Sequence, residues 1–436
     1  MNGRIVAMSA AIVVAALSFA YGAGWPDVSR LALTQSLVYD GTLRIDRFAR
    51  QTEDRADFAG HSYSDKAPGI SFLAVPSLEA ARAVGAVGRG EGTAGVWWNR
   101  WLLWSLRVLT GGLAFCVAVA LAAVAARRVA PETTTAVAAT VGLATMALPM
   151  AATVFSHLAA ASLAFAAFLL AWRGGTRLIA LAGAAAGAAV VFEYQAAVAA
   201  AVVLGYVVLR TRSVRDAATF LAGAVPFAVL LGAYNNAAFG SPLHFSYRYE
   251  SATFPQQHSG FFGIGVPGGH ALFETFLGRR GLFVVSPVLV LACAGLALLW
   301  RRGLRLEAAA SGAIAAAFAV LAAGYFDPYG GLSPGPRYFA PALLFLALGL
   351  PEAYRRWPRT TTALAAISVA ATLFQAGTWG PNFDWSTIWW WAGLPRLAGM
   401  ALTTATVAGA AALVVPDLQE LARRAPRRAL APARAH

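Results

Sequence analysis

Long apolar runs separated by short arginine-bearing breaks dominate the chain. A helix needs about 20 mostly apolar residues to cross the roughly 30 Å hydrocarbon layer of a bilayer. Runs at 4–22, 101–126, 133–152, 157–172, 177–192, 195–210, 216–236, 282–300, 306–325, 338–351, 360–378 and 397–415 approach that length. They predict an all-α, polytopic membrane protein with about twelve transmembrane helices. The runs 177–192 and 195–210 are nearly continuous, but a single helix over both would be roughly 50 Å long. Two helices with a turn at Glu193-Tyr194 are therefore expected. One transmembrane domain over 1–416 follows, with 417–436 as a basic, disordered cytoplasmic tail. The run at 4–22 also has the form of a signal peptide; an uncleaved span is expected, since a polytopic chain needs a first orienting helix.

The polar positions gather in four loops, 23–100, 237–281, 326–337 and 379–396. The first is the densest. Between Trp25 and Gly69 it holds six aspartates (Asp27, Asp40, Asp46, Asp54, Asp57 and Asp65), with Glu53, His61 and Lys66. The whole chain has only 20 Asp and Glu, so scarce carboxylates are concentrated where chemistry would sit. The segment 70–87 decides which side that loop faces. It is apolar but carries Pro76, Glu79 and Arg82. If it lies at the interface without crossing, Arg127-Arg128, Arg173, Arg210, Arg301-Arg302 and Arg355-Arg356 all share the side of Arg4. The positive-inside rule asks for that arrangement. The segment is thus expected to be an interfacial helix, both termini cytoplasmic, and every long loop outside.

Composition sharpens the class. Of the residues 58% are hydrophobic and 12% charged, against about 25% charged in soluble domains. The net charge of +14 comes from arginines spaced between apolar runs, which orient helices. No basic-aromatic patch marks a nucleic-acid surface, so nucleic acid is excluded as a partner. Cys116 and Cys293 both fall within apolar runs and read as buried thiols.

Candidate chemistry follows the loops. Asp27 comes directly after the first span, where a base meets a lipid-borne substrate at the water boundary. Asp46 is the second candidate base, although Arg47 beside it offers an ion pair. Asp40-Gly41 has turn character, in a segment that reads as a short amphipathic helix. Asp54 and Asp57 lie among Arg50 and Arg55 and read as a solvated face. Asp65 and Lys66 precede Pro68 and an apolar helix; Asp65 suits a cap and Lys66 a phosphate. In the second loop His244, Tyr247, Arg248, Arg279 and Arg280 are candidates for substrate binding. The basic pair 279–280 stands on the side otherwise poor in arginine, which points to an anion. Asp327 and Arg337 in the third loop, and Glu193 at a tight turn between apolar helices, complete the set. His244, His258 and His270 lack metal-ligand spacing, so no cofactor is expected and a divalent metal is left open but not indicated. Asp384, among Trp379, Trp385, Trp389, Trp390 and Trp391, reads as an aromatic belt.

Five stretches, SDKAPGISFLAVP, FEYQAA, YNNAAFGSPLHFSYRY, GRRGLFVVSP and GGLSPGPRYFAP, together with the acidic first loop, resemble the GT-C superfamily of polytopic glycosyltransferases. Within it the likeness is to bacterial family-39-like or mannosyltransferase-like membrane proteins. The resemblance runs over nearly the whole chain. It implies a GT-C-like fold in a bacterial inner membrane, a sugar donor carried on a polyprenyl phosphate, and a glycan or lipid-linked acceptor. It further implies an aspartate of the first outer loop as general base in an inverting transfer at the outer face. Asp27 holds the matching position and Asp46 competes with it; Lys66 matches a lysine that contacts lipid phosphate. Two departures stand out: Ala67 separates Lys66 from Pro68, and Val28 follows Asp27 where a paired acidic motif would have a second carboxylate. The alternatives are a transporter or flippase for a polyprenyl-linked or anionic substrate, and an inactive membrane scaffold. A transporter would place its charges at mid-membrane; here they lie in the loops.

Overall fold

The computed structural model describes residues 22–87, 94–331 and 333–378. The spans expected at 4–22 (but for its last residue) and 397–415, the loop 379–396 with Asp384, and the tail 417–436 lie outside the described residues.

The first loop is itself structured. Helix α1 (Trp25–Asp40) carries Pro26 in its first turn, where its missing N–H would have no partner anyway. It ends at Gly41, whose φ of 61° lets its N–H turn back toward Ser36. The helix thus starts at Trp25, well before the segment expected from its amphipathic pattern. A 3₁₀ turn (Asp46–Phe48) follows, then an antiparallel hairpin of β1 (Arg55–Phe58) and β2 (His61–Ser64), with Arg55 opposite Ser64 and Phe58 opposite His61. The hairpin departs from the all-α expectation. Helix α2 (Gly69–Ala83) packs along α1.

The helical bundle comes next. Helix α3 (Arg100–Val129) contains a π turn over Val108–Gly112. There follow α4 (Thr134–Leu143), α5 (Ala147–Ala151), α6 (His157–Arg173), α7 (Thr176–Phe192), α8 (Ala196–Thr211) and α9 (Val214–Phe239). After the second loop come α10 (Gly269–Leu277), α11 (Leu282–Val285), α12 (Val288–Arg301) and α13 (Arg305–Gly324). The described chain closes with α14 (Leu343–Ala347), α15 (Leu350–Arg356) and α16 (Pro358–Thr378). Among the described residues three helices, α3, α9 and α13, are long and apolar enough to cross a membrane; Gly269–Val285 with Val288–Arg301, bent by 91°, makes a fourth if taken as one span. Helices α6, α7 and α8 and the stretch Arg337–Ala347 are apolar but shorter. The expected run 133–152 breaks into α4 and α5, and 338–351 into a 3₁₀ stretch and short helices, so the described residues do not confirm the count of about twelve spans. The turn at Glu193-Tyr194 does separate α7 from α8.

The chain is a membrane protein: besides these helices, α9 leaves Val214, Leu221, Val225 and Val229 exposed, an apolar outer face that suits lipid. Helices α7 and α9 meet through small residues. A Cβ on Gly183 would lie 1.8 Å from the Phe220 carbonyl oxygen, and one on Gly223 2.0 Å from that of Ala180. Such close backbone approach is how apolar helices associate in lipid, where side-chain burial gains little.

The bundle has two chemically distinct ends. At one, the Arg302 guanidinium contacts Glu352 and the Val129 carbonyl, Arg355 reaches Glu132, Arg210 pairs with Glu307 at 2.8 Å, and Arg128 donates to the Trp172 carbonyl. The helices ending there have their other ends at the cavities described below: α3 carries Arg107, α6 starts at His157, and α13 leads into Tyr325. The ion pairs of Arg210, Arg302 and Arg355 therefore lie at the end away from the carboxylates of the first loop.

Candidate active site

At the loop end lies a cavity of about 450 Å³. Its polar wall holds Asp27, Asp54, Lys66, Arg107, Glu250, Asp327 and Arg337. Trp25, Phe155, Phe254, Tyr325, Phe326 and Tyr338 supply aromatic surface. A smaller chamber of about 10 Å³, the size of one water, lies behind it. Lys66, Glu250, Tyr325, Arg337 and Tyr338 line both spaces.

Asp27 enters from the first turn of α1. Its Oδ2 accepts from Arg107 Nη2 at 2.7 Å and its Oδ1 from the Val154 N–H at 3.0 Å. Both ionic partners are almost wholly buried. The geometry depends on α3 approaching the 151–154 turn closely: a Cβ on Gly111 would sit 2.3 Å from the Thr153 carbonyl oxygen.

Lys66 follows the hairpin. Strand β2 delivers Ser64 and Asp65 into the interior. Ser29 of α1 donates to Asp65 Oδ1 at 3.0 Å, and Ser246 donates to the Asp65 carbonyl at 2.6 Å. The Lys66 ammonium pairs with Asp65 and lies 3.1 Å from Asp54 Oδ2. Burial opposes its charge, but Asp54, Asp65 and Glu250 outweigh burial and hold its pKa above the ordinary lysine value. Lys66 is therefore a permanent cation on the cavity wall.

Glu250 reaches the same place because the second loop adds to the free edge of β1. Ala56 bridges Glu250, and the Ser251 N–H donates to the Arg55 carbonyl at 3.0 Å. Burial, then the neighbouring Asp65, push the Glu250 carboxyl well above the usual carboxylate range, against the pull of Lys66. Its Oε2 receives no N–H or hydroxyl among the described residues, and the Asp65 carboxyl lies within hydrogen-bonding reach of the Glu250 carboxyl.

Arg337 lines the same two spaces. It is buried, lies over the Phe155 and Tyr338 rings at 5.3 and 5.2 Å, and donates to the Tyr338 hydroxyl at 3.3 Å. Its Nε has no partner among the described residues. Asp327 shapes the adjoining turn, accepting from the Tyr329 and Gly331 N–H groups at 3.1 and 2.6 Å. Glu193 lies deeper, on the small chamber, where Ser156 donates to it and Arg30 stands 3.5 Å away. Tyr247 lines the same chamber.

Of the residues expected from the sequence, the fold brings Asp27, Lys66, Asp327 and Arg337 to the main cavity and Glu193 and Tyr247 to the chamber behind. Asp65 holds Lys66 in place. The others lie elsewhere. Asp46 is exposed and caps the hairpin, with His61 Nδ1 at 2.8 Å and the Ser62 N–H at 2.6 Å. Asp40 pairs with Arg47 on the surface. His244 meets the Phe239 carbonyl and the Tyr249 hydroxyl. Arg248 and Arg279 are exposed. Arg280 ties down the third loop by donating to the Gly331 and Ser333 carbonyls. Three cavity residues were not singled out by the sequence. Asp54 read as a solvated face, and Arg107 sat inside a span. Glu250 was one more polar residue of the second loop. For Arg107 a signal existed, since an arginine within an apolar run asks for a partner. Among the described residues no three His, Cys, Asp or Glu side chains converge as a metal set would; the carboxylates are drawn around Lys66 instead.

This architecture has the GT-C fold expected from the sequence and shares it with a solved structure. The chain superposes on ArnT from Cupriavidus metallidurans, whose crystal structure is bound to undecaprenyl phosphate, with a TM-score of 0.54 and 16% identity, over 96% of this chain and 77% of that one. The oligosaccharyltransferase of Archaeoglobus fulgidus, in its apo form, aligns with a TM-score of 0.46 and 13% identity, over 95% of this chain and 56% of that one. No protein-family model and no curated protein matches the chain in sequence.

Proposed function

We propose that the protein is a membrane glycosyltransferase that takes a sugar from a polyprenyl-phosphate donor and transfers it, with inversion, to a glycan or lipid-linked hydroxyl at the outer face of a bacterial inner membrane. The observation that carries this reading is the pairing, across one cavity at the loop end of a GT-C fold, of two buried cations, Lys66 and Arg337, with a wall of aromatic rings. A lipid phosphate needs such cations. They hold it in the ground state and stabilise the charge that grows on it as the glycosidic bond breaks. A pyranose ring suits the faces of Trp25, Tyr325 and Tyr338. The undecaprenyl phosphate seen with ArnT supports a donor of this class.

Asp27 fits a positioning role better than that of the base expected for it. Both of its oxygens are engaged, one by Arg107 and one by Val154, and this clasp fixes the start of α1 against α3. Asp46 faces away from the cavity. The acceptor's proton falls instead to a carboxylate with an open oxygen on the cavity.

The test is transfer itself. Purified protein in nanodiscs is given radiolabelled hexoses on undecaprenyl phosphate together with a lipid and glycan extract as acceptor. The expected result is label moving from the donor to a new product, and its loss in Lys66→Gln. Label that stays on the donor across the common hexoses and aminohexoses, or crosses the bilayer still attached to its lipid, would contradict the reading; the second outcome is the one a flippase gives.

A further inference from the structure

We infer that Glu250 is the general base of this site, and that it receives the acceptor's proton as the new glycosidic bond forms. The inference rests on the glycosyl-transfer reading and adds the residue that does the proton chemistry.

The other carboxylates around the main cavity are held by N–H or hydroxyl donors or stand directly against the Lys66 ammonium. Asp27 has Arg107 on one oxygen and the Val154 N–H on the other. Asp327 spends its oxygens on the Tyr329 and Gly331 N–H groups. Asp54 Oδ2 accepts no hydrogen bond among the described residues, but it lies 3.1 Å from the Lys66 ammonium, whose charge makes it a weak base; Asp65 is held between Ser29 and Lys66. Glu250 Oε2 receives no N–H or hydroxyl among the described residues, its carboxyl neighbouring only the like group of Asp65, although the side chain is buried and lines the cavity. A buried acceptor left open is costly to a folded protein, and at a cavity wall it is the position at which a substrate O–H is received.

The surroundings suit the task. Asp65 and Asp54 face Glu250 from the hairpin side and oppose its ionisation, while Lys66 between them favours it. Across the small chamber stand Arg337 with Tyr325 and Tyr338, then Arg30, His157 and Glu193. His258 contacts the Glu250 backbone carbonyl at 3.1 Å, not its carboxylate. Burial and Asp65 together raise its pKa, which makes it a stronger base than an exposed carboxylate. Its second face opens on the small chamber, where both ring nitrogens of His157 and the Arg337 Nε lack hydrogen bonds among the described residues.

The step balances. The acceptor oxygen forms a bond to the anomeric carbon. The bond from that carbon to the phosphate oxygen breaks, and its electron pair leaves with the lipid phosphate beside Lys66 and Arg337. The hydroxyl proton moves to Glu250, which is neutral until it gives the proton to solvent.

The experiment compares wild type, Glu250→Gln and Glu250→Asp in the transfer assay, with thermal melting as a check on folding and undecaprenyl phosphate as the binding probe. Glu250→Gln is expected to lower kcat by about 10²–10⁴-fold, the usual worth of a general base. Its affinity for undecaprenyl phosphate stays within about threefold of wild type, since a base acts on the chemical step and not on donor binding. Wild-type kcat rises with pH along a limb centred above the ordinary carboxylate range; Glu250→Asp keeps a limb and Glu250→Gln loses it. A folded Glu250→Gln that retains wild-type kcat or the same limb overturns the assignment. If Glu250→Gln does not fold, Glu250→Asp decides: unchanged kcat with an unmoved limb also overturns it. A wild type that transfers from no lipid-linked sugar removes the glycosyl-transfer reading and Glu250 with it, an outcome distinct from an active wild type with an active glutamine variant.

Discussion

At the scale of single residues, Lys66 is the centre of the site. It is one cation among Asp54, Asp65 and Glu250, and its removal leaves three carboxylates facing one another inside the protein. Breaking a buried ion pair from one side typically costs about 3–5 kcal/mol. Lys66→Gln is therefore expected to lower the melting temperature in detergent markedly, and Asp65→Asn in the same background is expected to recover part of the loss. An unchanged melting temperature in Lys66→Gln would contradict this charge balance. Because the folded pKa of Lys66 lies above its unfolded value of 10.5, the group contributes stability that is fully present below that value and lost as pH rises beyond it. Binding of undecaprenyl phosphate to wild type should thus hold level from neutral pH to about 10 as far as this lysine is concerned. A decline centred between pH 7 and 9 would assign the phosphate to a weaker base.

At the scale of elements, the sequence showed the helices better than the loops. Apolar runs announced α6, α7, α8, α9 and α13 to within a few residues, because lipid and core both demand continuous apolar surface. The hairpin was invisible, since strands of four residues with mixed polarity carry no periodicity. That gap explains the errors at the site. Asp54 and Asp65 flank the hairpin, so which of them points inward depends on where its strands begin and end, and in a strand one residue of register exchanges the two faces. Glu250 could be found only after its loop was seen to extend the β1 edge. Lys66 and Asp27 were legible because helix starts fixed them. The pairing of α7 with α9 gives an element-scale test. Gly183→Leu places a side chain into the Phe220 backbone, whereas Gly205 on α8 has nothing within 4 Å of its Cβ position. Overpacking costs about 1–3 kcal/mol and more against backbone. Gly183→Leu should lower the melting temperature by several degrees and Gly205→Leu by little; equal effects would contradict the close crossing.

At the scale of the whole molecule, the account depends on two ends of opposite chemistry. Arginine ion pairs fasten one end of the bundle, and the cavity with its carboxylates occupies the other. In a cysteine-free background, His61→Cys should react with a membrane-impermeant maleimide in intact cells, and Arg301→Cys only after permeabilisation. The reverse pattern would invert the molecule in its membrane and place the cavity away from outer-face acceptors. The measurement that bears most directly on the central claim is the equilibrium binding of undecaprenyl phosphate to protein in nanodiscs, for wild type, Lys66→Gln and Arg337→Gln. Charge-assisted contacts are worth about 1.5–3 kcal/mol, so each variant should weaken binding by roughly 10- to 100-fold. Equal affinity in all three, or none in wild type, would contradict a lipid-phosphate site between Lys66 and Arg337.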